Sequence, residues 1–178
     1  IIVDNAVARD NWVVEPAKKT RQPIDRVLLS AFFEKDLATA MDDYEAREGQ
    51  LPMAMSLADA LDGEEIMLAE AGTGTGKSLA YLVPAVLWAK ANDAKVVIST
   101  YTRNLQAQLV SSDIPVARTA GLEFDWALLK GRSNYLCRRK LALRQREEPN
   151  EAVWKQLADW AAHSEEGSVQ DLGEAVHD

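Results

Sequence analysis

The chain has 178 residues, 47% of them hydrophobic and 27% charged, enough for one globular domain and part of another. A net charge of −8 excludes a protein that coats nucleic acid by bulk electrostatics. The single cysteine, Cys137, excludes an internal disulfide framework and alone cannot hold a metal or cluster. No apolar run is long enough to span a bilayer and no secretory leader is visible, so a cytoplasmic setting is expected. A start at Ile1 rather than Met reads as that of a fragment.

Residues 1–23, interrupted by Pro16 and Pro23, read as extended or linking. Ile24 to Met41 reads as a helix with Val27, Leu28, Phe32 and Leu37 on one face. Met53, Leu57 and Leu61, four apart, predict a second helix, which Gly63 is placed to end in a left-handed cap. Glu65 to Ala69 is a short apolar run suited to a buried strand. Ser78 to Lys90 follows as a helix with Leu79, Leu82, Val83, Val86 and Leu87 on one side, and Pro84 sits inside it. Asn92-Asp93 makes a turn. Lys95 to Thr100 reads as a strand, Arg103 to Val110 as a helix, and Trp126 to Leu129 as a further strand. Tyr135 to Arg146 and Glu151 to Ala162 read as helices. Strand, helix, strand, helix, strand predicts an α/β fold, a parallel sheet covered by helices, with ligand at the carboxyl ends of the strands.

The run Glu70-Ala71-Gly72-Thr73-Gly74-Thr75-Gly76-Lys77-Ser78 carries the chemistry. It fits the phosphate-binding pattern G-x-x-x-x-G-K-[ST], with Ala71 in place of the first Gly. Gly72, Gly74 and Gly76 let the backbone curl so that its N–H groups converge on phosphate oxygens. A helix starting near Lys77 adds its positive end. Lys77 supplies charge to the β- and γ-phosphates, and the Ser78 hydroxyl suits Mg²⁺. Residues 71 to 78 thus form a candidate site for a nucleoside triphosphate, with Lys77 and Ser78 as catalytic candidates. A flexible Gly/Thr turn explains neither the Lys-Ser pair nor the apolar strand and helix on either side. The loop by itself specifies only a nucleoside triphosphate.

A second block, Ser99-Thr100-Tyr101-Thr102-Arg103-Asn104-Leu105-Gln106-Ala107-Gln108-Leu109, puts hydroxyls at a strand end and amides on the next helix. Such groups suit the phosphates of a single strand. Taken alone, the block is a helix with Thr102 as its N-cap. Seven Lys or Arg and no acid lie between Trp126 and Arg146, whereas Glu147 to Asp178 is acidic, with Lys155 its only Lys or Arg. A basic helix face of this kind is more often solvated than bound to nucleic acid.

Glu70 to Ser78, Ser99 to Leu109, and Leu128-Leu129-Lys130-Gly131-Arg132-Ser133-Asn134-Tyr135-Leu136-Cys137, in that order, resemble the start of the DinG family of XPD-like helicases. The resemblance covers about Tyr44 to Leu143. It implies an ATP-dependent superfamily 2 DNA helicase of two RecA-like domains, the first interrupted by an inserted, mainly helical iron–sulfur domain. On that template residues 1–43 are an N-terminal extension or linker, 44–131 part of motor domain 1, and 132–178 the start of the insertion. Gln50 then resembles the glutamine that reads the adenine edge, with Arg47 beside it, although a surface glutamine at a helix start is an equal reading. Thr100, Thr102, Arg103 and Gln106 become candidate DNA-backbone contacts. Cys137 resembles the first of four ligands to a 4Fe–4S cluster, or else is a small buried hydrophobe. The implied partners are single-stranded DNA and duplex junctions, with 5′ to 3′ polarity, for a monomer outside any membrane acting in repair or replication.

The sequence departs from the family in three places. No Asp-Glu-Ala-His box is present, and Gly173 to Asp178 imitates one poorly. Three of the four cluster cysteines are missing, and so is a second motor domain. His163 and His177 read as surface residues. Other readings of the loop are a small-molecule kinase and a non-catalytic nucleotide-binding module.

Overall fold

The structure, a computed structural model, describes residues 20–41, 44–164, 167–169 and 172; Gly173 to Asp178, with His177, and residues 1–19 lie outside the described residues. The chain divides into two compact units, Ile1–Leu128 and Leu129–Asp178.

In the first unit α1 (Arg26–Ala31) runs through a π-helical turn (Phe32–Asp36) into α2 (Leu37–Ala40). Asp25 caps it, its carboxylate accepting from the N–H groups of Val27 at 2.8 Å and Leu28 at 3.2 Å. The buried face differs from the expected one. Leu29, Phe32, Phe33 and Leu37 are buried, whereas Val27 is 76% and Leu28 57% exposed. The π turn is the cause. Leu37 N–H bonds to Phe32 O, five residues back, so the turn holds an extra residue. Leu29 and Leu37, eight apart, therefore align as residues seven apart do in an α-helix, and Leu28 rotates outward.

Helix α3 (Gln50–Gly63) packs on α4 (Lys77–Asn92) through Gln50, Ala54 and Ala58, which repeat every four residues and are all buried. The larger Met53, Leu57 and Leu61 flank this contact and are half-buried. Small side chains at the contact line let the two backbones approach. The left-handed cap falls on Glu64, at φ 55°, and not on Gly63, which remains helical. Glu65 N–H bonds to Ala60 O at 2.8 Å, closing the α3 end one residue later than expected. Helix α4 continues through Pro84 and places Leu79, Leu82, Val83 and Val86 in the core. Asp93, at φ 46°, ends it. Residues 20–41 share that core, and the Tyr44 hydroxyl donates to Phe33 O at 3.0 Å.

Helix α5 (Arg103–Gln108) passes through a second π turn (Leu109–Asp113) into α6 (Ile114–Thr119). Leu109, Ile114 and Ala117 anchor this rod in the core.

The expected parallel sheet is absent among the described residues, and the three strand candidates are extended chain without ladders. In two of them the side-chain period is nevertheless that of a strand. Residues 94, 96, 98 and 100 alternate inward against exposed 95, 97 and 99, and 122 to 130 alternate likewise. Ile98, Phe124 and Trp126 lie on the core, while Ile66 and Leu68 are fully exposed. A strand becomes one only when a neighbour takes its N–H and C=O groups, and these segments lie beside no registered neighbour.

In the second unit a 3₁₀ turn (Arg132–Asn134) leads to α7 (Arg138–Glu147) and α8 (Ala152–His163), which pack as a hairpin. Tyr135 was expected in the helix. It makes a bridge with Ser168 instead, and its hydroxyl accepts from Lys130 N–H at 2.9 Å. Trp154 Nε1 donates to Glu148 at 2.8 Å, tying the α7 end to α8. His163 is exposed.

Candidate functional site

The glycine-rich loop spans the gap between the extended segment 65–71 and α4. Gly74 (φ 81°) and Gly76 (φ 71°) take the left-handed conformation, and Gly76 is the N-cap of α4. Gly76 is required twice over. A Cβ there would lie 2.1 Å from Gln50 Nε2 and 3.2 Å from Arg47 Cδ. Gln50, only 3% exposed, donates from Nε2 to Gly76 O at 3.0 Å. The structure thus brings Gln50 and Arg47 to the loop, 26 residues away in the case of Gln50. It also occupies one of the two Gln50 amide N–H donors, leaving the other N–H and the carbonyl oxygen for any further partner.

Lys77 Nζ turns back onto the loop, donating to Ala71 O at 2.7 Å and also to Gly72 O. Thr75 Oγ1 donates to Gly72 O at 3.0 Å. The ammonium therefore sits inside the loop curve, where a phosphate oxygen would displace these carbonyls as its partner. Thr73 is exposed, as are Gly72 and Gly74.

Two residues that the sequence reading did not single out complete the site. The Ser78 hydroxyl lies near the Tyr81 phenol and the Asp113 carboxylate and acts to lower the pKa of each. Burial raises the Asp113 pKa from its ordinary value, opposed by Ser78, Gln108 and the nearby Arg47 charge. Burial likewise raises that of Tyr81. Tyr81 stands one helical turn after Ser78, a spacing visible in the sequence. Asp113 reaches the site only because of the π turn, for which the sequence gives no period signal.

The second block is displayed as expected for a capped helix. Thr102 Oγ1 accepts from Leu105 N–H at 3.2 Å, and Thr100 Oγ1 donates to Thr102 O at 3.3 Å. Thr102 and Arg103 are exposed and Gln106 is half-exposed, while Tyr101 is fully exposed.

In the second unit Cys137 is the N-cap residue of α7 and its thiol is exposed. The backbone N–H of Lys140, with lesser help from Arg139, lowers its pKa below that of a free thiol. Arg132, Arg139, Lys140 and Arg144 line a groove of about 1000 Å³ with Cys137 and Trp154. Among the described residues no three His, Cys, Asp or Glu gather as a metal site.

A left-handed glycine capping a helix that opens with Lys-Ser is nucleotide-binding architecture, and residues 53–170 match the family model of the DEAD/DEAH box helicases. The chain belongs to that family. Its sequence is 38% identical over 144 residues to the "3'-5' exonuclease DinG" of Bacillus subtilis, across 78% of this chain and 16% of that protein. It is 39% identical over 155 residues to the "ATP-dependent helicase DinG" of Mycobacterium tuberculosis, across 74% of this chain and 23% of the relative. It is 45% identical over 106 residues to the "ATP-dependent DNA helicase YoaA" of Escherichia coli, across 59% of this chain and 16% of that protein. The resemblance to the DinG family read from the three motif blocks is thereby borne out, and the small-molecule kinase reading falls away. The chain spans less than a quarter of the length of these relatives.

Proposed function

We propose that this chain is the nucleotide-binding part of an ATP-dependent DNA helicase that couples hydrolysis to movement along single-stranded DNA. The observation that carries the reading is the loop at the head of α4, with Gly76 left-handed, Lys77 inside the curve and Gln50 seated against it. Lys77 would exchange the carbonyls of Ala71 and Gly72 for β- and γ-phosphate oxygens. The N–H groups of residues 72 to 78 would take the remaining phosphate oxygens. Mg²⁺ fits the donor set, because Ser78 presents a hydroxyl oxygen beside the Asp113 carboxylate. When bound, the ion neutralises charge on the phosphates. Gln50 and Arg47 stand on the adenine side of the reading.

Thr100, Thr102, Arg103 and Gln106 are the proposed DNA-backbone contacts, supported by the exposure of Thr102 and Arg103 at the head of α5. By the family resemblance the substrate is single-stranded DNA at duplex junctions, the polarity 5′ to 3′, the protein a monomer and its setting cytoplasmic. No helix among the described residues is long and apolar enough to cross a membrane. We read the three extended segments as strands of a RecA-like parallel sheet, on the support of the alternating side chains of residues 94–100 and 122–130. Residues 44–131 then belong to motor domain 1, 132–178 to the inserted domain, and 1–43 precede the motor domain. A 4Fe–4S cluster needs several thiolates, and this chain has one cysteine, so its residues do not complete a cluster. Cys137 is proposed as one ligand of such a cluster in a longer protein.

The test is Lys77→Ala in the full-length protein. DNA-stimulated ATP hydrolysis should fall by at least about a hundredfold, since a charge aimed at the transferred phosphoryl group is lost. The circular dichroism spectrum should not change. Wild-type hydrolysis by the folded variant would defeat the assignment.

A further inference from the structure

Asp59, Asp62 and Glu64 lie at the end of α3, and the last turn of that helix holds no basic residue. Carboxylates there face the negative end of the helix dipole, so the helix needs positive partners from elsewhere. Residues 21–26 supply them. Ile24 N–H donates to both Asp62 carboxylate oxygens at 3.1 Å. Arg26 Nη2 donates to Asp62 Oδ2 at 2.8 Å and to Asp59 Oδ1 at 2.7 Å. Asp62 is the hub of these bonds, with its side chain only 17% exposed. The pair of Arg21 with Glu64, at 3.1 Å, is exposed and contributes less. The same residues also grip α4. The Asn92 side-chain amide accepts from Gln22 N–H at 2.8 Å and donates to Gln22 O at 3.0 Å. The Arg21 guanidinium lies 5.4 Å from the Trp88 ring centroid, and Ile24 is buried in the shared core.

Helices α3 and α4 therefore run side by side in the same direction. Their heads meet where Gln50 Nε2 donates to Gly76 O at 3.0 Å, and their tails meet on residues 21–26. The two meeting points are the ends of a 14-residue helix, about 21 Å apart. Between them the seam is made by Ala54 and Ala58, whose methyl groups offer little to stop one helix sliding along the other. A slide of one residue's rise, about 1.5 Å, would weaken the Gln50 bond to the loop. Whatever holds the tails in register therefore also holds Gln50 in its seat.

We propose that residues 21–26 form a strap whose bonds to Asp62 and Asn92 fix the register of α3 against α4, and so seat Gln50 against the nucleotide loop. Asp62 and Asn92 are positioning residues. They stand at the far ends of the two helices and act through Gln50. The strap bears on function only through the nucleotide-loop reading above, on which this proposal rests.

The experiment is a double-mutant cycle on the full-length protein, read as the Kd for a fluorescent ATP analogue. Asp62→Ala and Gln50→Ala should each weaken binding about fivefold, the factor that goes with one hydrogen bond. The double variant should bind no more weakly than Gln50→Ala alone, because the strap then has nothing left to seat. A fold loosened in general would not give that result, since its cost would add to that of Gln50→Ala. Asn92→Ala frees the strap from the α4 side and carries the same test should Asp62→Ala fail to fold. Wild-type affinity in the folded strap variant, or a double variant about fivefold weaker than Gln50→Ala, overturns the proposal. Wild-type affinity in Gln50→Ala overturns it too, since the seat would then have no effect on binding. Lys77→Ala separates these failures from failure of the loop reading. It should abolish analogue binding, and if it leaves binding intact, the loop reading falls and takes the strap with it.

Discussion

Helix α4 and the extended segment 94–100 are both apolar on one side, and both rest on the same core. The helix is complete there, with Val83 fully buried and both ends closed. The segment holds its inward residues at strand spacing, yet it forms no ladder, and Val97 stays 66% exposed. The contrast is sharper at Ile66 and Leu68, which lead into the nucleotide loop with no cover at all. A helix closes its hydrogen bonds within itself and needs neighbours only for its apolar face. A strand needs another chain segment for every second backbone group. The helical side of the proposed nucleotide site is therefore built from local sequence, while the segment 94–100 has its side-chain period without its partners and the segment at Ile66 and Leu68 has neither.

Mutations in the 178-residue chain can break or sharpen this contrast, each read as a change in chemical denaturation. The largest effect should come from Leu29→Ala, which empties a fully buried position packed by α1, α3 and α4 and should cost about 2–5 kcal/mol. Asp25→Ala removes the side-chain acceptor from two N–H groups at the α1 start and should cost about 0.5–2 kcal/mol. Ile66→Thr changes a fully exposed side chain and should stay within about 0.5 kcal/mol. A cost for Ile66→Thr close to that of Leu29→Ala would mean that the segment is covered in solution, and the contrast would collapse.

The smallest structural effect belongs to Cys137, whose thiol is exposed and whose helix supplies its partners. Its pKa lies below the ordinary thiol value, so the thiolate persists to lower pH. The iodoacetamide alkylation rate should rise along a pH curve displaced to the acid side of a free cysteine peptide. A curve coinciding with the peptide's would show that the Lys140 and Arg139 N–H groups do not act on it.

Much of this was legible from residue spacing. The Gly76-Lys77-Ser78 head of α4, the Thr102 cap and the helices from 50, 77, 103 and 152 follow from local rules about glycine, hydroxyl caps and four-residue periods. Two kinds of feature escaped. The π turns insert a residue without any compositional mark, so the reading put Val27 and Leu28 on the buried face and overlooked Asp113. The ladders depend on which segments lie side by side, which periodicity does not encode. Gln50 falls between these cases. Its likeness to an adenine-reading glutamine came from the family, whereas its bond to the Gly76 carbonyl is visible only once α3 and the loop are packed together.

That bond has a consequence for how this protein can change over generations. Positions 50 and 76 share one small volume, in which any atom added at 76 lands 2.1 Å from the amide nitrogen of residue 50. Neither site is then free to vary alone. A larger residue at 76 meets both the side chain of 50 and the left-handed backbone, and a shrunken 50 leaves the Gly76 carbonyl without its side-chain donor. The single-step routes away from this pair all pass through a damaged loop, so two places far apart in the chain should be inherited as one.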